Sequence, residues 1–392
     1  MTRFIIPREV NYGWGVLDAL KYVEAARALI ITDRGIEKLG HVAKVRSILK
    51  EKQIEVRVFN EVEADPSRKT VIKVFTLAQE FQPDLFIGLG GGSPIDAGKV
   101  AWALYEHPDL ATMAWSDALK AVRRRMLRQK ARYIAIPCTS GTGSDSTCVA
   151  MITDEEVQPP AKTMMVSAQM VPDVTIVDAE LASTMPPSIT ADTGFDALSH
   201  TIEGYLLTPP SDIIDVLAVG AAQAVFSWLP KAVANGKDVT AREKMHIAAT
   251  MGGMVISNGR LSLLHDCAHQ IGPAFQITHG RAVALMFCPA LAYLFPSVSA
   301  RFGELARRLG LEPANDRDAA EKLIVEVEHL KKQVGMPSSI KETGLDEKGF
   351  MANLDMLAQN TLGGRVGPPG PTLEDIKGLY LKAWEGAKVQ LA

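Results

Sequence analysis

The first half of this chain repeats short apolar runs between longer amphipathic segments, and few folds accept that pattern. Ala28-Leu29-Ile30-Ile31-Thr32 reads as a buried strand, broken by Asp33-Arg34-Gly35. Val42 to Lys52 reads as a helix and Glu55-Val56-Arg57-Val58-Phe59 as the next strand. Thr70 to Phe81 is a helix, with Val71, Val74, Phe75 and Ala78 at helical spacing. Asp84 to Leu89 and Arg132 to Pro137 are further strands. Such alternation predicts parallel βαβ units in a doubly wound sheet. From about Ser188 onward strand signals stop. Helical patterns follow at Asp192–Leu207, Asp212–Leu229, Ala241–Ser257, Ser262–Gly272, Arg281–Phe295, Ser297–Leu309, Asp316–Val334 and Thr372–Lys388. Met185-Pro186-Pro187-Ser188 punctuates the change. We therefore expect an α/β domain with a parallel, Rossmann-like sheet over residues 1–187 and an all-α domain over 188–392.

Composition narrows the function classes. The 392 residues carry 42 Lys+Arg and 45 Asp+Glu, a net charge of −3. A near-neutral chain is not a polyanion binder, so nucleic acid is not the expected partner. The basic stretch from Arg123 to Arg132 lacks interleaved aromatic residues and reads as a solvated face. With 47% hydrophobic and 22% charged residues, global disorder is excluded. Phe4-Ile5-Ile6 is too short for a signal-peptide core. No run approaches ~18 uninterrupted apolar residues, so no membrane span is expected and a cytoplasmic location is the default. Cys138, Cys148, Cys267 and Cys288 form no CxxC pair and read as free thiols in a reducing compartment.

Two strand ends carry ligand-type loops. Gly88-Leu89-Gly90-Gly91-Gly92-Ser93-Pro94 follows one strand and opens a helix, with Pro94 near its first turn. Glycines let the backbone approach a ligand closely, and the free N–H groups of a helix start suit a pyrophosphate. Thr139-Ser140-Gly141-Thr142-Gly143-Ser144 follows the strand ending at Ile136. Together they favour a nucleotide at the carboxyl edge of the sheet. Asp33, at the end of the first strand, suits two roles. It can bond ribose hydroxyls and repel a 2′-phosphate, or it can cap the next helix.

Four of the eight histidines are placed unusually. Asp196 and His200 are four apart in a predicted helix, as are His265 and His269, and His279 follows shortly after. An i,i+4 pair shares one helix face and can chelate one metal. A lone histidine on an apolar helix is usually a satisfied core residue, but two such pairs and a third imidazole point to a metal. Imidazole and carboxylate donors suit Fe, Zn, Mn or Ni alike. His41, His107, His246 and His329 lie apart and need no role.

On Gly90-Gly91-Gly92-Ser93-Pro94-Ile95-Asp96, Tyr105-Glu106-His107-Pro108-Asp109, Thr139 to Asp145, Asp196-Ala197-Leu198-Ser199-His200 and His265 through His279, the chain resembles the iron-containing (group III) alcohol dehydrogenases. It is most similar to the alcohol dehydrogenase half of the bifunctional aldehyde–alcohol dehydrogenases, over essentially its whole length. The resemblance implies a dehydroquinate synthase-like architecture, with a nucleotide domain, a helical metal domain and a cleft between them. It implies Asp196, His200, His265 and His279 as ligands of Fe²⁺, Zn²⁺ or another divalent metal, and His269 as a proton relay near the nicotinamide ribose. It implies Gly91, Gly92, Ser93, Thr139, Ser140, Thr142 and Lys162 as NAD(H) contacts, Asp33 as the acid selecting NAD, and Cys148, Ile256 and Arg260 beside the substrate. The expected activity is hydride transfer between the nicotinamide and a small primary alcohol or aldehyde, in a homodimer or higher homo-oligomer.

Some positions depart from the family pattern. Asp145 stands for a usual Glu, and Asp65 for a usual Asn at a ribose contact. Arg260 and Arg281 stand where small residues are common. They raise a second expectation, an anionic aldehyde held by Arg260 or Arg281; the simpler role for both is pairing with acids. Dehydroquinate synthase-like or glycerol dehydrogenase-like chemistry and a non-catalytic metal- and nucleotide-binding protein compete with the leading reading. The former calls for a different ligand set, and the latter for lost ligands.

Overall fold

The computed structural model describes residues 3–157, 161–364, 370–386 and 391, and its contacts divide into two units, Met1–Met185 and Pro186–Ala392. That division falls two residues before the expected boundary.

The first unit holds a six-stranded parallel sheet. Its strands are β1 (Glu9–Gly13), β2 (Arg27–Ile31), β3 (Glu55–Phe59), β4 (Leu85–Gly90), β5 (Arg132–Pro137) and β8 (Val174–Asp178), in the order β1-β8-β5-β4-β2-β3. Alternate residues of one strand face opposite layers. Leu29 and Ile31 join Phe86 and Tyr133 in one core, with α2 (Arg68–Phe81) and α3 (Gly92–Glu106). Ala28 and Ile30 join Ile87 and Ile134 in the other, with α1 (His41–Glu51). Burial on both faces explains why these strands read as continuous apolar runs. The chain runs outward from β2 to β3, then returns to β4 on the other side of β2. The sheet therefore switches direction between β2 and β4, where open α/β sheets hold ligands.

Three strands escape the apolar pattern. β1 is an edge strand without a fully buried residue. β6 (Val149–Asp154) and β7 (Ala161–Val166) form a separate antiparallel ribbon; β6 alternates in burial, and β7 has one buried residue, Met165. Edge and one-sided strands have no continuous apolar signature.

The second unit is helical. Its elements are α4 (Pro187–Leu207), α5 (Asp212–Ala234), α6 (Val239–Asn258), α7 (Leu263–Phe275), α8 (His279–Arg308), α9 (Asp316–Gln333), α10 (Glu347–Leu362) and α11 (Leu373–Glu385). α4 is central, packed by α5, α6 and α8. The two helices expected at Arg281–Phe295 and Ser297–Leu309 are both present within α8, which breaks at the non-helical Val298, just after Pro296. α10 is weakly amphipathic and has no counterpart in the sequence pattern. α5 and α8 are long and apolar enough, by length and composition alone, to cross a bilayer. In the structure α8 is mostly buried against α4, α7, α9 and α11, and α5 packs on α4 and α6.

Tyr133 fixes the approach of α3 to the sheet. Its hydroxyl donates to the Ile95 carbonyl at 2.7 Å, and a Cβ at Gly98 would lie 2.5 Å from that hydroxyl. Gly98→Ala is therefore expected to lower stability by about 1–3 kcal/mol in urea unfolding. Tyr133→Phe removes the clashing atom, so it should cost less in the Gly98→Ala background than alone. Strict additivity of the two changes would refute this packing account.

Candidate metal and dinucleotide sites

Helix α4 is apolar around most of its surface, yet Asp192, Asp196, His200 and Glu203 lie along it at spacings of four, four and three. That spacing places them on one face. Two more helices bring histidines to this face from their first turns: α7 carries His265, and α8 begins at His279. The Nε2 atoms of His200 and His279 each lie 3.5 Å from Asp196 Oδ1, and that of His265 lies 3.8 Å away.

These separations exceed hydrogen-bond length, and the buried Asp196 Oδ1 has no hydrogen-bond partner. Four donors placed tetrahedrally around a cation, each about 2.1 Å from it, would lie about 3.4 Å from one another. The donor atoms are thus spaced as ligands rather than as hydrogen-bonding partners, and a divalent metal fits them. Asp196, His265 and His279 each offer an atom within 4.8 Å of the others. His200 approaches from Asp196's own helix, its ring stacked on His265 with centroids 4.9 Å apart. The side chains of Asp196, His200 and His265 are nearly inaccessible, whereas that of His279 is 31% exposed, so solvent reaches the cluster at His279.

Charges within the cluster oppose the cost of its burial. Burial works against ionisation of Asp196, but the facing imidazoles of His200, His279 and His265 outweigh it and hold the carboxyl far below the usual range. Burial likewise works against a charged His265, but Asp196 and Glu203 outweigh it and raise its pKa to about 9.

Residues behind the donors hold the incoming helices. Glu203 Oε2 lies 2.6 Å from His265 Nδ1, while its Oε1 accepts from the Ser262 and Leu264 amides. At the other end of the stripe Asp192 accepts from Thr278 Oγ1 at 2.6 Å and from Arg281 Nε at 3.3 Å. A Cβ at Gly280 would lie 2.0 Å from the Asp192 carbonyl oxygen, so only glycine lets α8 start this close to α4. Sequence reading missed Glu203 and Asp192 as site residues. Their signal was present as two more acids in register with Asp196 and His200 on an apolar helix. His269 stacks on His279 with ring centroids 5.0 Å apart, on the exposed side.

The substrate-side expectations fare unevenly. Arg281 is engaged by Asp192, as an ordinary ion pair. The exposed Arg260 is held through its backbone amide, which donates to Thr208 Oγ1. Neither arrangement favours the anionic aldehyde. Ile256 lies half-buried on α6 in the helical unit, and Cys148 is buried in the first unit.

In the first unit the two ligand-type loops lie side by side at the carboxyl ends of β4 and β5. The Cys138 amide donates to the Gly90 carbonyl at 2.7 Å, and a Cβ at Gly91 would meet Thr139 at 3.5 Å. A Cβ at Gly92 would meet Thr142 at 3.0 Å, tight enough that a side chain there would crowd the cradle at the start of α3. No side chain caps that helix, and Ser93 is half-buried in its first turn. This edge of the sheet fits a dinucleotide pyrophosphate. Ser140 is buried beneath it. Asp33 sits across the switch point. Its Oδ1 accepts from the Ile36 amide, capping the helix Arg34–Lys38, while its Oδ2 lies 3.5 Å from the Cβ position of Gly90. Both roles anticipated for Asp33 are thus compatible in one side chain. Lys162, on β7, pairs with Asp65 at 2.7 Å.

Gly280→Ala is expected to push α8 off α4 and to weaken zinc binding by about tenfold or more. Gly378→Ala, in open space, should leave it unchanged. Zinc titration of the metal-free proteins checks this; equal affinities would refute the close-approach argument.

Comparison with known proteins follows the same division. The iron-containing alcohol dehydrogenase family matches residues 7–179, and the C-terminal part of the Fe-containing alcohol dehydrogenase family matches residues 190–384. The chain is 37% identical to the NADPH-dependent butanol dehydrogenase of Clostridium saccharobutylicum, over 93% of this chain and 92% of that one. It is 36% identical to the bifunctional aldehyde-alcohol dehydrogenase of Escherichia coli K12, covering 92% of this chain but 43% of that relative's length. The solved alcohol dehydrogenase from Oenococcus oeni superimposes with a TM-score of 0.87 at 32% identity, over 98% of this chain and all of that one. The chain belongs to the iron-containing alcohol dehydrogenase family.

Proposed function

We propose that this protein interconverts a small primary alcohol and its aldehyde, using NAD(H) and a divalent metal, with Fe²⁺ as the working metal. The observation that carries this reading is the ring of three imidazoles 3.5–3.8 Å from the buried, unbonded oxygen of Asp196. When bound, the metal supplies Lewis acidity toward an alcohol or carbonyl oxygen, and the nicotinamide carries the hydride.

The chain's own residues do the rest. Asp196, His200, His265 and His279 would hold the metal, and the Asp196 carboxylate offsets part of its charge. His279 marks the accessible side, where a small substrate approaches. We assign proton exchange to His269, stacked on His279 at that side. Gly91, Gly92, Ser93, Thr139, Ser140 and Thr142 form the pyrophosphate cradle, and Lys162 is the cation nearest in role. Cys148 and Ile256 are kept as substrate-side positions. A cytoplasmic homodimer or higher homo-oligomer completes the reading.

Chelator treatment is expected to lower aldehyde-dependent NADH oxidation at least about 100-fold, or about 2.7 kcal/mol, with recovery on adding Fe²⁺ or Zn²⁺. Asp196→Asn should lose activity without recovery. Undiminished turnover in both the stripped protein and this variant would sink the proposal.

The butanol dehydrogenase relative is named for NADPH. We assign NAD(H) here because Asp33 places a carboxylate oxygen beside the glycine loop, where it would repel a 2′-phosphate. Asp33→Asn keeps the cap acceptor and removes the charge. The ratio of kcat/KM for NADPH over NADH should rise by about tenfold, equivalent to about 1.4 kcal/mol. An unchanged ratio would remove Asp33 from cofactor selection.

A further inference from the structure

We propose that Glu203 is a positioning residue that fixes His265 in its metal-ligating form, an inference that rests on the metal-site reading above. Glu203 is 1% exposed, and its carboxylate bonds to the start of α7. Oε1 takes the amides of Ser262 and Leu264, at 3.1 and 3.2 Å, and so anchors the turn that delivers His265. Oε2, 2.6 Å from His265 Nδ1, accepts the proton on that nitrogen. An imidazole that donates from Nδ1 leaves Nε2 unprotonated, and Nε2 is the atom that faces Asp196, with Ser199 Oγ 3.4 Å away. A carboxylate behind a ligating histidine also fixes the ring plane and raises its basicity as a ligand.

Anchoring the turn and orienting the imidazole are separable because the two carboxylate oxygens divide them. Glutamine at this position has one acceptor. If that oxygen keeps the two backbone amides, the NH2 faces Nδ1, which must then accept, and the ring proton moves to Nε2. A purely structural Glu203 would be replaced by Gln with little effect on the metal. A positioning Glu203 would not.

The test compares wild type, Glu203→Gln and Asp196→Asn, each stripped of metal. Zinc affinity is measured by chelator competition, and the visible d–d spectrum is recorded on cobalt-saturated protein. Glu203→Gln is expected to bind zinc 10- to 100-fold more weakly and to shift the cobalt bands. Asp196→Asn should fail to bind. If Glu203→Gln binds zinc within about twofold of wild type with unchanged cobalt bands, while Asp196→Asn does not bind, the role of Glu203 is overturned and the metal site stands. If Asp196→Asn also binds like wild type, the metal-site reading itself fails. Should Glu203→Gln not fold, zinc-loaded wild type labelled with ¹⁵N-histidine decides. A slowly exchanging, strongly downfield Nδ1–H signal is expected from His265, and its absence overturns the proposal.

Discussion

The helical unit is organised around one buried carboxylate oxygen. Asp196 Oδ1 lies in the interior without a hydrogen bond, an arrangement that is costly unless a positive charge faces it. Three imidazoles supplied by three helices answer that demand. The requirement explains why α7 and α8 both begin at α4, and why their first turns carry the histidines. It also explains why α4, otherwise apolar, keeps a polar stripe that a core helix would ordinarily avoid.

That stripe does two jobs along one line. Its middle, Asp196 and His200, presents donors. Its ends, Asp192 and Glu203, grip the starts of α8 and α7. Precision at the centre therefore derives from helix packing rather than from loops, and Gly280 sets the closeness of one such contact. The first unit works differently. There the sheet's change of direction between β2 and β4 leaves a gap at the strand ends. Glycines and the short side chains of Thr139, Thr142 and Asp33 line that gap, and larger residues would fill it.

Burial symmetry accounts for part of what was legible in the sequence, though the buried β8 went unread and the edge strand β3 was found by its alternating Val56 and Val58. β2, β4 and β5 are buried on both faces and read as plain apolar runs, and α4 to α9 showed in their periodicity. β1 and the β6–β7 ribbon face solvent on one side and left no comparable trace. The candidate donors stood out because histidines at helical spacing are rare without a purpose. Glu203 and Asp192 did not, because an acid on a helix is common and only the fold shows that these two are buried. Arg281 illustrates the converse: it looked like a substrate handle, and its partner, Asp192, lies 89 positions away in the chain.

The uneven exposure of the donors has a consequence for how the centre is filled. Asp196, His200 and His265 are sealed once the helices pack, while the ring of His279 stays within reach of solvent. A cation would therefore enter and leave past His279, the most exposed of the four donors. Binding there would compete with a proton for His265, whose pKa Asp196 and Glu203 raise. Metal and proton would then be exchanged on that one side of the cluster, one positive charge for another.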